Sequence, residues 1–340
     1  MIFDIWKQIK AKQFSSLYLL YGPEAFLINE TKQLLINHVL NEDDIDFNLS
    51  SYDLEETTID AALEDAETFP FMGERRLIFL QNPVFLTAAK TKEKVEHNLA
   101  KLEAYLKEPS PYSIVVFSAP YEKLDERKKI TKELKRKAAI LEAKQLNEGE
   151  LKAWIKERSA YNGVEIDAPA MDLLLSLAGT NLFTLTSEVD KLALYSGAGK
   201  KIDEESVEKL VSRSLEQNIF ALIDKIVHRS IEDALRIYYD LLKQNEEPIK
   251  ILSIITGQFR LIYQVKELAR RGYGQQQIAS HLKIHPFRIK LAAGQAQLFK
   301  DEELANIMKL LADADYQMKT GGMSKGLLIE MFLFRLNDHV

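Results

Sequence analysis

Through the first 145 or so residues, short apolar runs alternate with segments of helical periodicity. Ser16–Tyr21 (SLYLLY) is apolar and stops at Gly22-Pro23. Over Ala25–Leu40, Phe26, Leu27, Leu34, Leu35 and Val39 recur on one side, which predicts a helix. Phe47–Tyr52 alternates like a strand, and an acid-rich helix follows in which Ile59, Leu63 and Ala66 fall at i, i+4 and i+7. Arg76–Leu80 (RLIFL) and Ser113–Ser118 (SIVVFS) are continuous apolar runs, the pattern of strands buried on both faces. Lys90–Lys107 and Leu124–Lys137 read as charged helices, and Ala139–Ala143 as a last strand. Strands alternating with helices predict a parallel sheet with helices on its faces.

After Leu146 the pattern turns helical throughout. Asn147–Tyr161, Ala168–Ala178, Leu182–Tyr195 and Glu204–Ser212 form one group, punctuated by Gly163, Gly179, Gly197 and Gly199 as helix stops. Longer helices follow at Ile219–Arg229, Ile231–Gln244, Pro248–Arg271, Gly274–Leu282, Pro286–Leu298, Asp301–Met318 and Ser324–Leu336. Pro248 and Pro286 suit first-turn positions. The expected class is α/β plus all-α, in three domains: residues 1–145 with a parallel sheet, a small helical domain at 146–212, and a helical bundle at 213–340.

Composition narrows the class. The 340 residues are enough for two or three domains, and 46% hydrophobic with 28% charged is an ordinary soluble balance. Cysteine is absent, which removes disulfides, thiolate nucleophiles and Cys-based metal sites. Met1-Ile2-Phe3-Asp4 does not open like a signal peptide, and no run of about 18 apolar residues occurs, so a cytoplasmic protein without membrane contact is expected. The net charge of −6 argues against a chain coated in nucleic acid. It divides unevenly: residues 1–210 hold 27 Lys/Arg against 36 Asp/Glu, and residues 211–340 hold 18 against 15. The C-terminal third is the better candidate for phosphate contact.

The first strand, Gly22 and the helix after it stand where a phosphate-binding P-loop would stand. That loop needs Gly-x-x-x-x-Gly-Lys-Ser/Thr, whose backbone amides wrap the phosphates while Lys neutralises them and the hydroxyl holds magnesium. Counting from Gly22, those positions hold Leu27, Ile28 and Asn29. The carboxylate pair expected at the end of a later strand is replaced by Gln81-Asn82, amides that neither offset a metal's charge nor serve as a base. ATP hydrolysis by this chain is therefore not expected, and neither a nucleotide cofactor nor a small-molecule substrate is expected. The helical second group sits where the lid of an AAA+ ATPase would sit.

The acidic helix runs into Thr68-Phe69-Pro70-Phe71-Met72-Gly73. Pro70 stops the helix and Gly73 allows a positive φ before the next strand. Phe69, Phe71 and Met72 are crowded into a span too short to bury all three against one sheet. Packing beneath the sheet edge is the ordinary reading; an exposed wedge that fills a partner's pocket is the functional one. Glu74-Arg75-Arg76 would supply its polar rim.

Other signals are weaker. Gly274–Ile289 has the outline of a helix-turn-helix, with Arg288 and Lys290 on its second helix; a tight helical corner is the favoured explanation. The basic run Arg127–Lys137 reads as a solvated face. His281 and His285 stand at i, i+4 without a suitably placed third ligand, so no metal is expected. Ser212-Arg213 reads as surface.

The segments TFPFMGERRLIFLQNP (68–83), LAGTNLFTLTSEVDKLALY (177–195), QFRLIYQVKELARRG (258–272), IASHLKIHPFRIKLA (278–292) and ADYQMKTGG (314–322) together resemble the bacterial DNA polymerase III delta subunit family, in order and over essentially the whole chain. The resemblance implies an AAA+-like clamp-loader subunit whose third domain joins a pentameric collar with gamma/tau and delta-prime subunits. It implies an inactive nucleotide site, hence a non-catalytic subunit of a DNA-directed DNA polymerase, a nucleotidyltransferase holoenzyme. It also implies a beta sliding clamp as partner, gripped by an apolar pair that falls on Pro70 and Phe71, with Phe69 and Met72 alongside. Proline replaces a larger aliphatic residue at the first position, which shifts the grip to Phe71 and Met72. ATP on neighbouring subunits would expose the element, which would hold the clamp open by a population shift until hydrolysis releases it on primed DNA. Lys319, Gly321 and Gly322 would approach that DNA. Two other functions stay in view: an active AAA+ ATPase, and a regulator that reads DNA with residues 274–292.

Overall fold

The computed structural model describes residues 2–71, 73–88, 95–228, 230–321 and 323–339. The chain divides into two compact units, Met1–Gln145 and Leu146–Val340.

The first unit runs α1 (Ile2–Lys10), β1 (Leu17–Tyr21), α2 (Ala25–Val39), α3 (Ile45–Asn48), β2 (Leu49–Asp53), α4 (Ile59–Ala66), β3 (Arg76–Gln81), α5 (Leu99–Lys107), β4 (Ser113–Ala119), α6 (Lys129–Lys137) and β5 (Ala139–Glu142). Its strands form one sheet in the order β2-β3-β4-β1-β5, every pairing parallel. β3 is buried from Arg76 to Leu80 and β4 throughout, as their unbroken apolar runs require of central strands. β2, at one edge, stays half exposed. Leu17, Leu19, Ile78, Leu80, Val115 and Phe117 face α4, α5 and α6 in one core. Alternate residues face the other side, where Lys32 of α2 lies over the Phe79 ring. The connections leaving β1 and β4 run to opposite edges of the sheet, which makes the carboxyl ends of these two neighbours its topological switch point.

Three local expectations change. The strand predicted over Phe47–Tyr52 begins at Leu49, because Phe47 and Asn48 close the short helix α3. The helix predicted from Leu124 begins at Lys129; Asp125 instead accepts from the Arg127 amide at 3.1 Å, a turn that competes with helix. The charged helix predicted from Lys90 begins at Leu99, capped by Asn98, and its first residues, 90–94, lie outside the described ones. The N-terminal helix α1 is not among the elements expected above, although Ile2, Ile5, Trp6 and Ile9 stand at i, i+3, i+4 and i+7, the spacing of an amphipathic helix. Trp6 pins it to α2 by donating Nε1–H to Thr31 Oγ1 at 2.7 Å.

The second unit begins with α7 (Glu148–Tyr161), β6 (Glu165–Ile166), α8 (Ala168–Ala178), α9 (Leu182–Ser196), β7 (Lys201–Ile202) and α10 (Glu204–Leu210). It continues with α11 (Leu215–Val227), α12 (Ile231–Lys243), α13 (Pro248–Arg270), α14 (Gln275–Leu282), α15 (Pro286–Ala296), α16 (Asp301–Thr320) and α17 (Lys325–His339). The pair β6–β7, parallel over two residues, is too short for a periodicity to announce. Asn147 caps α7 in a reciprocal box with Glu150; Asp167, Asn181, Asp203 and Ser214 cap the helices that follow them. From Ile219 to Leu336 one apolar core joins α11 through α17. No described helix is long and apolar enough to cross a membrane.

Candidate partner-docking site

The acidic helix α4 buries Ile59, Ala62, Leu63 and Ala66 and ends there, earlier than Pro70 alone would require. Its last carbonyls find partners on the strand two places along: Ser113 Oγ donates to Ala66 O at 2.6 Å, and the Tyr112 hydroxyl donates to Glu67 O at 2.8 Å. Thr68 Oγ1 donates back to Glu64 O at 2.9 Å. The chain then crosses the amino ends of the strands before entering β3.

In that crossing Phe69 is 75% exposed and Phe71 58%, with Pro70 half-buried between them. Met72 lies outside the described residues. The rings are exposed but not unsupported. Phe69 stacks on Tyr112, centroids 4.5 Å apart and planes 28° apart. Phe71 leans on Phe47 at 5.3 Å, and Phe47 is itself 53% exposed. The result is an aromatic tip made of three segments: the end of α3, the α4–β3 crossing and the start of β4.

Polar groups fix the tip from below. Asn48 is fully buried; its Nδ2 donates to Phe71 O at 2.7 Å and its Oδ1 accepts from Phe71 N–H at 2.8 Å. Gly73 turns the chain with φ +147°; a Cβ there would meet Asp44 Oδ2 at 2.9 Å and Asn48 Nδ2 at 3.2 Å. The predicted polar rim is only partly present. Glu74 is exposed, Arg75 lies over the Phe14 ring, and Arg76 turns inward to an ion pair with Asp65. Asp65 also accepts from the Tyr52 hydroxyl at 3.1 Å; burial, then Asp65, pushes that phenol above its usual range.

The positions of a nucleotide site lie at the opposite, carboxyl ends of the strands, about 20 Å away at the usual strand rise. Gly22 follows β1 with φ +132°, and a Cβ there would sit 2.2 Å from Ala143 O. Its amide donates to Ala119 O at 3.1 Å, and that of Glu24 donates to Ala143 O at 2.9 Å. The amides of Ala25 and Leu27 donate to Pro23 O and Glu24 O. These donors, which a phosphate loop would turn outward, are engaged within the protein. Leu27 and Ile28 are core residues, 0% and 4% exposed, and Asn29 points to solvent. Gln81 donates to Ser51 Oγ at 2.7 Å, and Asn82 to both oxygens of Asp53 at 3.2 and 3.1 Å. Acidic groups stand at these strand ends: burial, reinforced by Glu55 and Asp53, pushes the Tyr121 phenol up to about 12. Burial also raises the Glu24 carboxyl, against a hydrogen bond from the Phe26 amide.

The remaining candidates lie elsewhere. Lys319 is on the last turn of α16, with Nζ 2.7 Å from Asp315 Oδ2; Gly321 ends that helix with φ +83°, and Gly322 lies outside the described residues. α14 and α15 form a helical corner, with Lys283 between them at φ +54°. Ile278, Ala279 and Ile289 are buried in the unit's core, and Lys290 reaches Glu148 Oε2 at 3.0 Å. His285 directs Nε2 to Leu146 O and accepts from Phe287 N–H at Nδ1, so both nitrogens serve protein groups. The basic run is largely paired: Lys129 with Glu103, Lys135 with Glu126, Arg136 with Glu133, while Lys128 donates to Phe85 O and Thr87 O. Ser212 and Arg213 are exposed.

Phe69 and Phe71 stand out in the sequence by their crowding beside Pro70 and Gly73. Phe47, Asn48 and Tyr112 do not; strand pairing brings them to the tip.

Two family models match the chain: DNA polymerase III, delta subunit, over residues 18–144, and DNA polymerase III delta subunit, C-terminal domain, over residues 216–336. The chain is 51% identical over 336 residues to DNA polymerase III subunit delta of Bacillus subtilis (strain 168), spanning 99% of this chain and 97% of that protein. It is 25% identical over 212 residues to a probable DNA polymerase III subunit delta of Aquifex aeolicus (strain VF5), 62% of this chain and 60% of that one. The solved structure of the Bacillus subtilis DNA clamp loader delta protein superposes with a TM-score of 0.84 at 50% identity, covering 99% of this chain and 100% of that chain. On matches of this extent, the chain belongs to the DNA polymerase III delta subunit family.

Proposed function

We propose that this protein is the clamp-binding subunit of a clamp loader: it grips a beta sliding clamp through the aromatic tip and holds it open for loading onto primed DNA, without hydrolysing ATP. The observation that carries the reading is the tip itself. Large apolar side chains stay in water at the end of a rigidly held crossing, the form of an interface hot spot awaiting its pocket. Phe71 and Met72 are the main anchors, with Phe69 beside them and Pro70 shaping the approach.

The filled nucleotide position supports a non-catalytic role. Leu27 and Ile28 in the core, and loop amides engaged by Ala119, Ala143, Pro23 and Glu24, leave a triphosphate without its usual donors. Energy for clamp opening would then come from ATP on gamma/tau neighbours, with delta-prime completing the ring, all in the cytoplasm. Within the second unit, residues 146–212 would act as the lid and 213–340 as the collar domain, with Lys319, Gly321 and Gly322 near DNA. The lid and collar reading of α14–α15 as a packed corner is favoured by the burial of Ile278, Ala279 and Ile289.

The test is capture of the native chain and a Phe71→Ala/Met72→Ala variant on immobilised sliding clamp. Loss of two apolar anchors should weaken binding about hundredfold or more. Unchanged binding would remove the tip from the clamp interface.

A further inference from the structure

We infer that Asn48 is a positioning residue for the tip, a side chain that presets the Phe71 backbone for its partner. The inference rests on the clamp-docking reading above. Asn48 lies 23 residues before Phe71, on a different element, yet its carboxamide meets both main-chain groups of Phe71 at 2.7 and 2.8 Å. That paired arrangement copies the exchange of bonds between two strands. A carboxamide alone among small side chains presents one donor and one acceptor side by side; aspartate lacks the donor and serine lacks the span.

The site is built for this. Asn48 has no exposed surface, so its bonds form where competing water is excluded and an unpaired amide would be costly. Gly73 passes so close to the same amide that only a residue without Cβ fits unstrained. Phe47, the neighbour of Asn48, supports the Phe71 ring at 5.3 Å. One dipeptide thus holds both the backbone and the ring of the anchor. An exposed crossing would otherwise sample many conformations, and ordering it on contact would weaken binding.

The experiment measures clamp affinity for the full-length native chain, Asn48→Ala, Phe71→Ala and the double variant. Hydrogen exchange of the Phe71 amide and the melting temperature are followed in each single variant. The expected result is a roughly tenfold loss for Asn48→Ala, the scale of one or two neutral hydrogen bonds. Phe71 amide exchange should quicken, and the Asn48 effect should shrink in the Phe71→Ala background, where one of the two anchors it presents is gone. A purely structural role would instead weaken binding equally in both backgrounds, which would overturn the inference. Full affinity in Asn48→Ala, alongside a large loss in Phe71→Ala, would overturn it while leaving the clamp reading intact. Full affinity in Phe71→Ala would sink the clamp reading first. If Asn48→Ala does not fold, Gly73→Ala, which crowds the same amide from the exposed side, should show the same affinity loss and faster Phe71 exchange; native behaviour there would overturn the inference.

Discussion

Residues at the two ends of the sheet carry opposite kinds of constraint. Phe69 and Phe71 are exposed, held only by aromatic contacts with Tyr112 and Phe47, and so open to a partner. Gly22 is the reverse: its φ of +132° and the 2.2 Å approach of a virtual Cβ to Ala143 O leave room for no side chain. Gly22→Ala should therefore destabilise the first unit by at least about 2 kcal/mol, the cost of a strained φ before the clash is added. Chemical denaturation of the two proteins measures it, and an unchanged midpoint would mean the loop has slack. The aromatic anchors and this glycine were both legible in the sequence, because each stands out against its neighbours. Asn48 was not. A lone asparagine beside a strand carries no mark of burial, and its partner lies 23 residues on.

At the scale of elements, the α14–α15 corner is part of a larger core. Its helix-turn-helix outline is real, but its buried face belongs to the core shared by α11 through α17. His285 joins the corner to the start of α7 through Leu146 O and caps α15 at the Phe287 amide. Burial holds its imidazole below the usual range, the hydrogen bond to Leu146 opposing and Arg288 reinforcing the shift. The sign follows: the unfolded chain takes up a proton near pH 6.5 that the folded chain refuses, so stability falls as pH drops through that point. Protonation would also cost the cap its acceptor. Melting temperatures at pH 7.5 and 5.5 should fall more for the native chain than for His285→Asn, which keeps a good capping residue. Equal falls would show that His285 is not the sensitive group. The element boundaries that moved, at Phe47, Leu99 and Lys129, moved where an Asn or Asp side chain or a short helix competed with periodicity.

Across the whole molecule, the five-stranded parallel sheet of the first unit separates Gly22, at the carboxyl ends of its strands, from the exposed Phe47, Phe69 and Phe71 at the amino ends. At the carboxyl ends of its strands Asp53, Glu55 and Glu24 bring negative charge, and the amides of Gly22, Glu24, Ala25 and Leu27 are engaged within the protein, an arrangement that does not favour phosphate. Magnesium and ATP should give the isolated chain no thermal stabilisation and no turnover above contaminant level. A melting shift that rises with ATP concentration would reveal a site that this geometry does not explain.

Four features are legible in the sequence alone: the alternation of strands and helices, the change to helix after Leu146, Leu27 and Ile28 at the positions where a P-loop has Gly and Lys, and the aromatic cluster before β3. All of these are local patterns, read from neighbours in the chain. The tertiary structure decided that the cluster faces water rather than the core, that Phe47 and Tyr112 join it, and that Asn48 holds it. Those outcomes depend on which strands lie side by side. A parallel sheet brings the starts of β2, β3 and β4 together from distant parts of the chain, and no periodicity within one segment encodes that meeting.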